Sequence, residues 1–216
     1  MFVGLKMLKN FVTTTPKTLV KDAERLMEQS KLWMLLVLDG EKLVGYVRAE
    51  DIARAMPSLA TSLSRHELGY LLDRLTLDKI MRKDIATVAP EVEIEAAAQV
   101  MYERNLAGLA VLQGDRLIGY INRSVMLDVL VEEMGYRQGG SRISVEVEDR
   151  QGILYEMAGI VSRMGHSIIS TGTFYHNGRR IIVLRVACTD PSPIAAALQE
   201  HGYRVVGAMD FMEEWQ

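Results

Sequence analysis

Asp51 is the first residue whose type and place suggest chemistry. It falls in the opening turn of a helix expected to begin near Arg48, directly after an apolar run at 43–47. A carboxylate there can accept both hydroxyls of a cis-diol, and the free N–H groups of a helix start suit a phosphate. A favourable interaction with the helix dipole would explain the same acid without any ligand. Arg48 can pair with a phosphate or simply fill the mouth of a pocket. In the C-terminal part, Asp149 and Gly152 lie at a strand-to-helix turn, with Ile153 opening the helix. Gly152 lets the backbone approach a ligand whose carboxylate would meet the N–H groups of that helix. A plain turn and helix cap is the competing explanation.

Nucleophilic and metal chemistry find little support. Cys188 lies in an apolar strand-like run and reads as a small buried hydrophobe. His66, His166, His176 and His201 lack the spacing of metal ligands. The acids at 91, 93 and 95 suit a helix N-terminus, and those at 146, 148 and 149 a solvated strand face. No GxGxxG, Walker A or GxSxG stretch occurs. No catalytic residue and no metal site is expected.

These side chains need elements to hold them, and the chain of 216 residues has room for two or three small domains. Hydrophobic residues at 49% and charged residues at 25% exclude a disordered or low-complexity chain. Charge is evenly spread: residues 1–135 carry 17 basic and 19 acidic side chains, residues 141–216 carry 7 and 9. A chain without a strongly basic surface is no dedicated nucleic-acid binder. The longest apolar run, 32–38, has 7 residues, against roughly 20 for a membrane helix. With a single cysteine and no signal-peptide pattern at the start, a cytoplasmic location is expected, without membrane insertion.

A duplication organises the first part. Shifted by 74 residues, positions 7–53 align without a gap on 81–127, and 14 of the 47 pairs are identical; ordinary composition would give about three. Each copy reads strand, helix, strand, strand, helix. In the first, a short β-prone run at 11–15 precedes a helix with Leu19, Ala23, Leu26 and Met27 on one face and Thr18 placed to cap it. Two further β-prone runs flank Asp39-Gly40, a strong hairpin signal. Met27 and Met101 match across the copies, as core residues would. Between the copies, Ser64 and Glu67 form a capping box, and Leu68, Leu71, Leu72 and Leu75 an apolar stripe of a helical connector.

After a hinge-like stretch ending in Gly139-Gly140, the pattern becomes strand, helix, two strands around His176-Asn177-Gly178, helix and a last strand to residue 209. The order βαββαβ is the ferredoxin-like split arrangement.

The duplicated unit resembles the CBS motif, through Thr13–Pro16 in sequence, the run 35–40, and above all Gly45-Tyr46-Val47-Arg48-Ala49-Glu50-Asp51, which follows Gly-apolar-x-Thr/Ser-x-x-Asp. The C-terminal part is similar to the ACT domain, through Asp149-Arg150-Gln151-Gly152-Ile153-Leu154 and Met164-Gly165-His166-Ser167-Ile168. The order CBS, CBS, ACT is similar to the AcuB-like family of acetoin utilization. The fold class expected is α/β, α+β overall: a CBS motif at 1–56, a helical linker at 57–76, a second CBS motif at 77–135, and an ACT-like βαββαβ domain at 141–216.

The resemblance implies a non-catalytic regulator. An adenine nucleotide such as AMP, ADP or ATP would serve as regulatory ligand of the CBS pair rather than as a cofactor. Asp51 would hold the ribose, and Arg48, Thr13, Thr87 and Asn122 would complete the nucleotide residues. Arg48 stands where the family has a hydroxyl, Leu36 and Ala110 where it has proline, and Val125 where the second copy would need its acid, so at most one strong site is expected. A small amino-acid effector at the ACT domain would use Asp149, Gly152, Ile153, His166 and Ser167, although the family's asparagine is missing. A homodimer is expected, and a metabolic enzyme is the natural partner. The alternative is an adaptor with degenerate pockets that docks to an enzyme or transporter.

Overall fold

The computed structural model describes residues 1–56, 70 and 72–215. The chain divides into two compact units, 1–127 and 128–216. The capping box and the leucines at 68 and 71 fall outside the described residues.

The first unit opens with a short helix α1 (Val3–Lys6), then β1 (Thr13–Thr14), α2 (Val20–Gln29), β2 (Met34–Asp39), β3 (Lys42–Arg48) and α3 (Ala49–Ala55). The second copy follows as β4 (Thr87–Val88), α4 (Ile94–Glu103), β5 (Gly108–Gln113), β6 (Arg116–Asn122) and α5 (Arg123–Glu133), the last running past the division between the units. The sheet order β1-β2-β3-β6-β5-β4 is a palindrome of the two copies. In each, the first strand runs parallel to the second, pairing Thr13 with Leu36 and Thr87 with Ala110. Each hairpin has its register shift at the same place, Val37/Leu38 and Val111/Leu112.

Strand β2 is buried on both faces, and its period of two divides the core. Leu35 and Val37 pack with Val20, Ala23, Met27 and Ile52 under the first copy. Leu36 points the other way, into a cluster shared with Tyr46 and Ala110 and joined by Ile85 and Tyr120. Thr18 does not cap α2: the N-cap is Leu19, and the Thr18 hydroxyl closes the turn at 15–18 on the Thr15 N–H at 3.3 Å.

What joins the copies is an exchange of lead-in segments. Arg82 N–H donates to the Tyr46 carbonyl at 2.8 Å, and Tyr46 N–H donates to the Arg82 carbonyl at 3.0 Å. The duplicate positions do the same: Leu8 N–H reaches the Tyr120 carbonyl at 2.8 Å and Tyr120 N–H the Leu8 carbonyl at 3.0 Å. Each lead-in lies where a side chain on the neighbouring glycine would be. A Cβ on Gly45 would come within 2.8 Å of the Arg82 carbonyl and 2.9 Å of the Met81 sulfur; on Gly119 it would come within 2.4 Å of the Met7 sulfur.

The second unit contains β7 (Ser141–Val147), α6 (Ile153–Arg163), β8 (Ile168–His176), β9 (Arg179–Val186), α7 (Ser192–Glu200) and β10 (Arg204–Val206). The order β10-β7-β9-β8 is the ferredoxin-like one. Ile143, Val145 and Val147 alternate inward from β7 onto Met157, Ile160 and Ile194, and Cys188 is partly buried against the same core. The last strand ends earlier than its sequence pattern, and Ala208–Trp215 forms a 3-10 helix. The glycine-rich stretch before β7 is no loose hinge. Arg185 on β9 donates from Nε to the Met134 carbonyl at 2.9 Å and from Nη1 to the Gly139 carbonyl at 3.2 Å, and its guanidinium lies 5.3 Å from the Tyr136 ring centre.

No helix among the described residues is long and apolar enough to cross a membrane. Gly45→Ala is expected to force the lead-in away from β3 and to cost about 1–3 kcal/mol, read as a lower urea midpoint with unchanged slope.

Candidate functional site

Arg48 ends β3 in an extended conformation (φ −100°, ψ 160°) and is the N-cap of α3, which places Asp51 at the third helical position. From there Asp51 Oδ2 accepts the Arg48 backbone N–H at 3.2 Å, one half of a capping box. The other contact comes from the second copy. Arg82, fixed by its pairing with Tyr46, donates from Nε to Oδ2 at 2.9 Å and from Nη2 to Oδ1 at 2.6 Å. The Asp51 side chain is only 11% exposed, that of Arg82 32%.

The pair belongs to a cluster of four charges. Glu50 Oε1 accepts from Arg48 Nη1 at 3.1 Å and from Arg82 Nη2 at 3.3 Å. The Arg48 guanidinium lies 5.6 Å from the centre of the Tyr46 ring, and its Nε is buried without a hydrogen-bond partner. Burial alone would raise the Asp51 pKa, but the Arg82 hydrogen bonds, the Arg48 N–H and both guanidinium charges outweigh it and hold the acid below 3.8. Arg82 is correspondingly pushed up by its bonds to Asp51. Asp51 is therefore not an open carboxylate. Sequence reasoning missed Arg82, although the duplication carries the signal: it aligns with Leu8, as Asp51 aligns with Val125.

In the second copy the same backbone frame holds no such charges. Asn122 Oδ1 accepts the Val125 N–H at 2.9 Å and so acts as a helix cap. Thr13 and Thr87 lie on the short parallel strands. Thr87 also lines a cavity of about 510 Å³, with Ile85, Leu43 and Leu112 as apolar walls and Lys42 and Arg116 among its charged residues. Leu36 and Ala110 are buried between the copies.

In the second unit, Gly152 caps α6 at φ 84°, a conformation open to glycine, and Ile153 behind it is buried in the core. Asp149 is paired with Arg180. Asp149 and Ile153 line a cavity of about 540 Å³ together with Arg150, Arg179, Arg180 and Arg204. His166 and Ser167 lie beyond the other end of α6, about 16 Å away at 1.5 Å per residue. There the His166 N–H bonds the Val161 carbonyl at 3.2 Å and the Ser167 carbonyl accepts from Ala187 at 2.9 Å. The five residues thus form two groups that one small molecule does not span within this unit.

The second unit also holds ion pairs between elements that sequence spacing does not reveal. Arg150 grips Glu156 with two nitrogens, and the Tyr203 hydroxyl donates to the same carboxylate at 2.6 Å. The Arg150 and Tyr203 hydrogen bonds hold the Glu156 pKa down to about 2. Glu146, expected on a solvated face, is only 18% exposed, held by Arg179 and Arg204 at 3.1 Å each. Among the described residues no cluster of His, Cys, Asp or Glu could hold a metal ion.

The architecture is a duplicated strand–helix–strand–strand–helix module and a ferredoxin-like unit, which defines a two-part class of domain proteins. The CBS domain model matches residues 3–58 and 77–132, together over half the chain, and a TTHA0829-like ACT domain model matches 139–208. The chain belongs to the CBS-domain family and carries a C-terminal ACT domain. A curated relative, inosine-5'-monophosphate dehydrogenase of Korarchaeum cryptofilum, is 31% identical over 115 residues, 53% of this chain and 21% of that protein. The chain spans about a fifth to a quarter of the length of the first curated relatives it matches. Among solved structures, a Vibrio cholerae protein provisionally described as the acetoin utilization protein AcuB superposes with a TM-score of 0.54 at 22% identity, covering 65% of this chain and 98% of that one. CBSX2 in complex with AMP superposes with a TM-score of 0.50 at 25% identity, covering 61% and 96%.

Replacing the charged pair by its counterpart from the second copy tests the site's electrostatics. Arg82→Leu is expected to destabilise the protein and to raise the Asp51 pKa, since burial is then opposed only by the Arg48 N–H and charge. With the pair intact, the folded pKa is depressed. Its stabilisation is then complete above pH 3.8 and is lost as pH falls through the lower folded value. The double variant Arg82→Leu/Asp51→Val should recover most of the loss, with a coupling of about 0.5–3 kcal/mol in urea unfolding at pH 7.

Proposed function

We propose that the chain is a non-catalytic regulatory sensor whose CBS pair binds an adenine nucleotide at Asp51. The observation that carries this reading is the placement of one poorly solvated carboxylate, in the first turn of α3, between two arginines. In the proposed bound state the ribose hydroxyls take over the Asp51 oxygens now held by Arg82. The freed guanidinium then turns to a phosphate oxygen, with the unpartnered Nε of Arg48 beside it. The AMP complex of CBSX2, a relative at 25% identity, supports the choice of ligand class.

Arg82 also supplies a route for the signal. It is tied to Tyr46 through two backbone hydrogen bonds and leads directly into the second copy. A ligand that moves its side chain biases how the two copies meet, with a coupling of about 1–3 kcal/mol. In this proposal Thr87 borders the base, Thr13 and Asn122 contribute at most to a weak second site, and the ACT domain reads a small effector or sets assembly as a homodimer that acts on a metabolic enzyme.

A second reading is favoured by one specific observation: Asp51 is already neutralised within the chain. In that reading the cluster is a structural clasp, and the protein is an adaptor that docks to an enzyme or transporter.

Thermal shift and calorimetry against AMP, ADP, ATP and S-adenosylmethionine separate the two. The sensor predicts stabilisation by at least one nucleotide, about 2.7 kcal/mol at about 100 times Kd, with the response lost in Asp51→Ala. No response from any of them decides for the adaptor, and an unchanged response in Asp51→Ala overturns Asp51 as the nucleotide site.

A further inference from the structure

A groove of about 390 Å³ lies between α2 and α3 of the first copy, where Ala49 and Ile52 line it on either side of the Glu50-Asp51 pair that Arg82 holds. Its floor is Met27, Leu32 and Ile52, and Trp33, 81% exposed, forms one wall. Glu24 and Glu28, one helical turn apart on α2, line the same groove. Neither carboxylate has a hydrogen-bonding or ionic partner among the described residues.

The duplication supplies an internal comparison, because the second copy builds the same backbone frame. Leu32 N–H reaches the Met27 carbonyl at 2.9 Å, and Leu106 reaches Met101 at 2.8 Å. Ala49 N–H reaches the Trp33 carbonyl at 3.2 Å, and Arg123 reaches Ala107 at 3.3 Å. Lys31 and Asn105 share a left-handed φ, 51° and 48°. Only the side chains differ. In the second copy, Arg123 folds back across this frame, donating from Nε to the Leu106 carbonyl at 3.0 Å and from Nη2 to Asn105 Oδ1 at 2.7 Å. In the first copy alanine stands in its place, and the frame is open.

We propose that this groove receives an arginine side chain presented by a partner protein, in the place that Arg123 takes in the second copy. The guanidinium donates to the Leu32 carbonyl as Arg123 does to that of Leu106, its plane lies on the Trp33 indole, and Glu24 and Glu28 balance its charge. At the positions of the two glutamates the second copy has Ala98 and Tyr102, and of Trp33, Ala107, so the acids and the aromatic wall accompany the missing arginine. Lys31, exposed on the same rim where the second copy has Asn105, opposes the incoming charge. The lining still carries two carboxylates against one ammonium.

The protein has 2 tryptophans, so the full chain with Trp215→Phe reports Trp33 fluorescence alone. Titration with N-acetyl-L-arginine amide should give a saturable change, and the isosteric citrulline amide should bind at least about tenfold more weakly. Glu24→Gln/Glu28→Gln should weaken the arginine compound by a similar factor, and Lys31→Asn should tighten it. Ala49→Arg should abolish the titration while keeping the melting temperature, because the tethered side chain takes the site. Absence of a saturable change, equal binding of the citrulline compound, or unchanged binding in Ala49→Arg overturns the proposal. If Trp33 emission instead shifts on dilution of the protein alone, in step with loss of a dimer in sedimentation, the groove is covered by a second copy and the proposal also fails.

Discussion

The first unit depends on one reciprocal backbone pairing, in which each copy of the repeat accepts the lead-in segment of the other. Tyr46 with Arg82, and Tyr120 with Leu8, are two-hydrogen-bond contacts at equivalent places. A side chain at Gly45 would strike the incoming Arg82 carbonyl, and one at Gly119 would displace the Met7 side chain. A single copy would leave a strand without its neighbour and expose the cluster around Leu36 and Ala110. The pair is thus the smallest unit that satisfies both backbone and core.

The same pairing explains why the two halves, alike in backbone, differ in chemistry. It carries Arg82 to Asp51, whereas the aligned positions of the other copy are Leu8 and Val125, which cannot form such a pair. A carboxylate this poorly exposed needs a partner to stay ionised, and Arg82 supplies it through three hydrogen bonds. The two copies thus share a backbone frame, and the Arg82–Asp51 ion pair belongs to one of them. The α2–α3 groove repeats the pattern in reverse, with an arginine kept in the second copy and lost from the first.

In the second unit, charge holds the periphery together while an apolar core holds the centre. Alternating residues of β7 face α6 and α7, and the ion pairs Arg150–Glu156 and Glu146 with Arg179 and Arg204 lie around the rim. Arg185 fastens the stretch from Met134 to Gly140 onto β9. A glycine-rich segment is flexible only where nothing grips its carbonyls.

The repeat, the order of elements and the hairpin turns were legible in sequence, because they rest on local propensity, period-two burial and self-similarity. Asp51 and Gly152 are legible as residues of helix starts for the same local reason. Long-range placement decided the rest. Arg82 became visible only through the exchange of lead-ins, Thr18 turned back to Thr15 instead of capping α2, and α6 separated His166 and Ser167 from Asp149. In physical terms, backbone propensity acts over a few residues and can be read in order. Whether an acid meets an arginine, or a groove meets its own side chain, depends on which distant segments the closed sheet brings together.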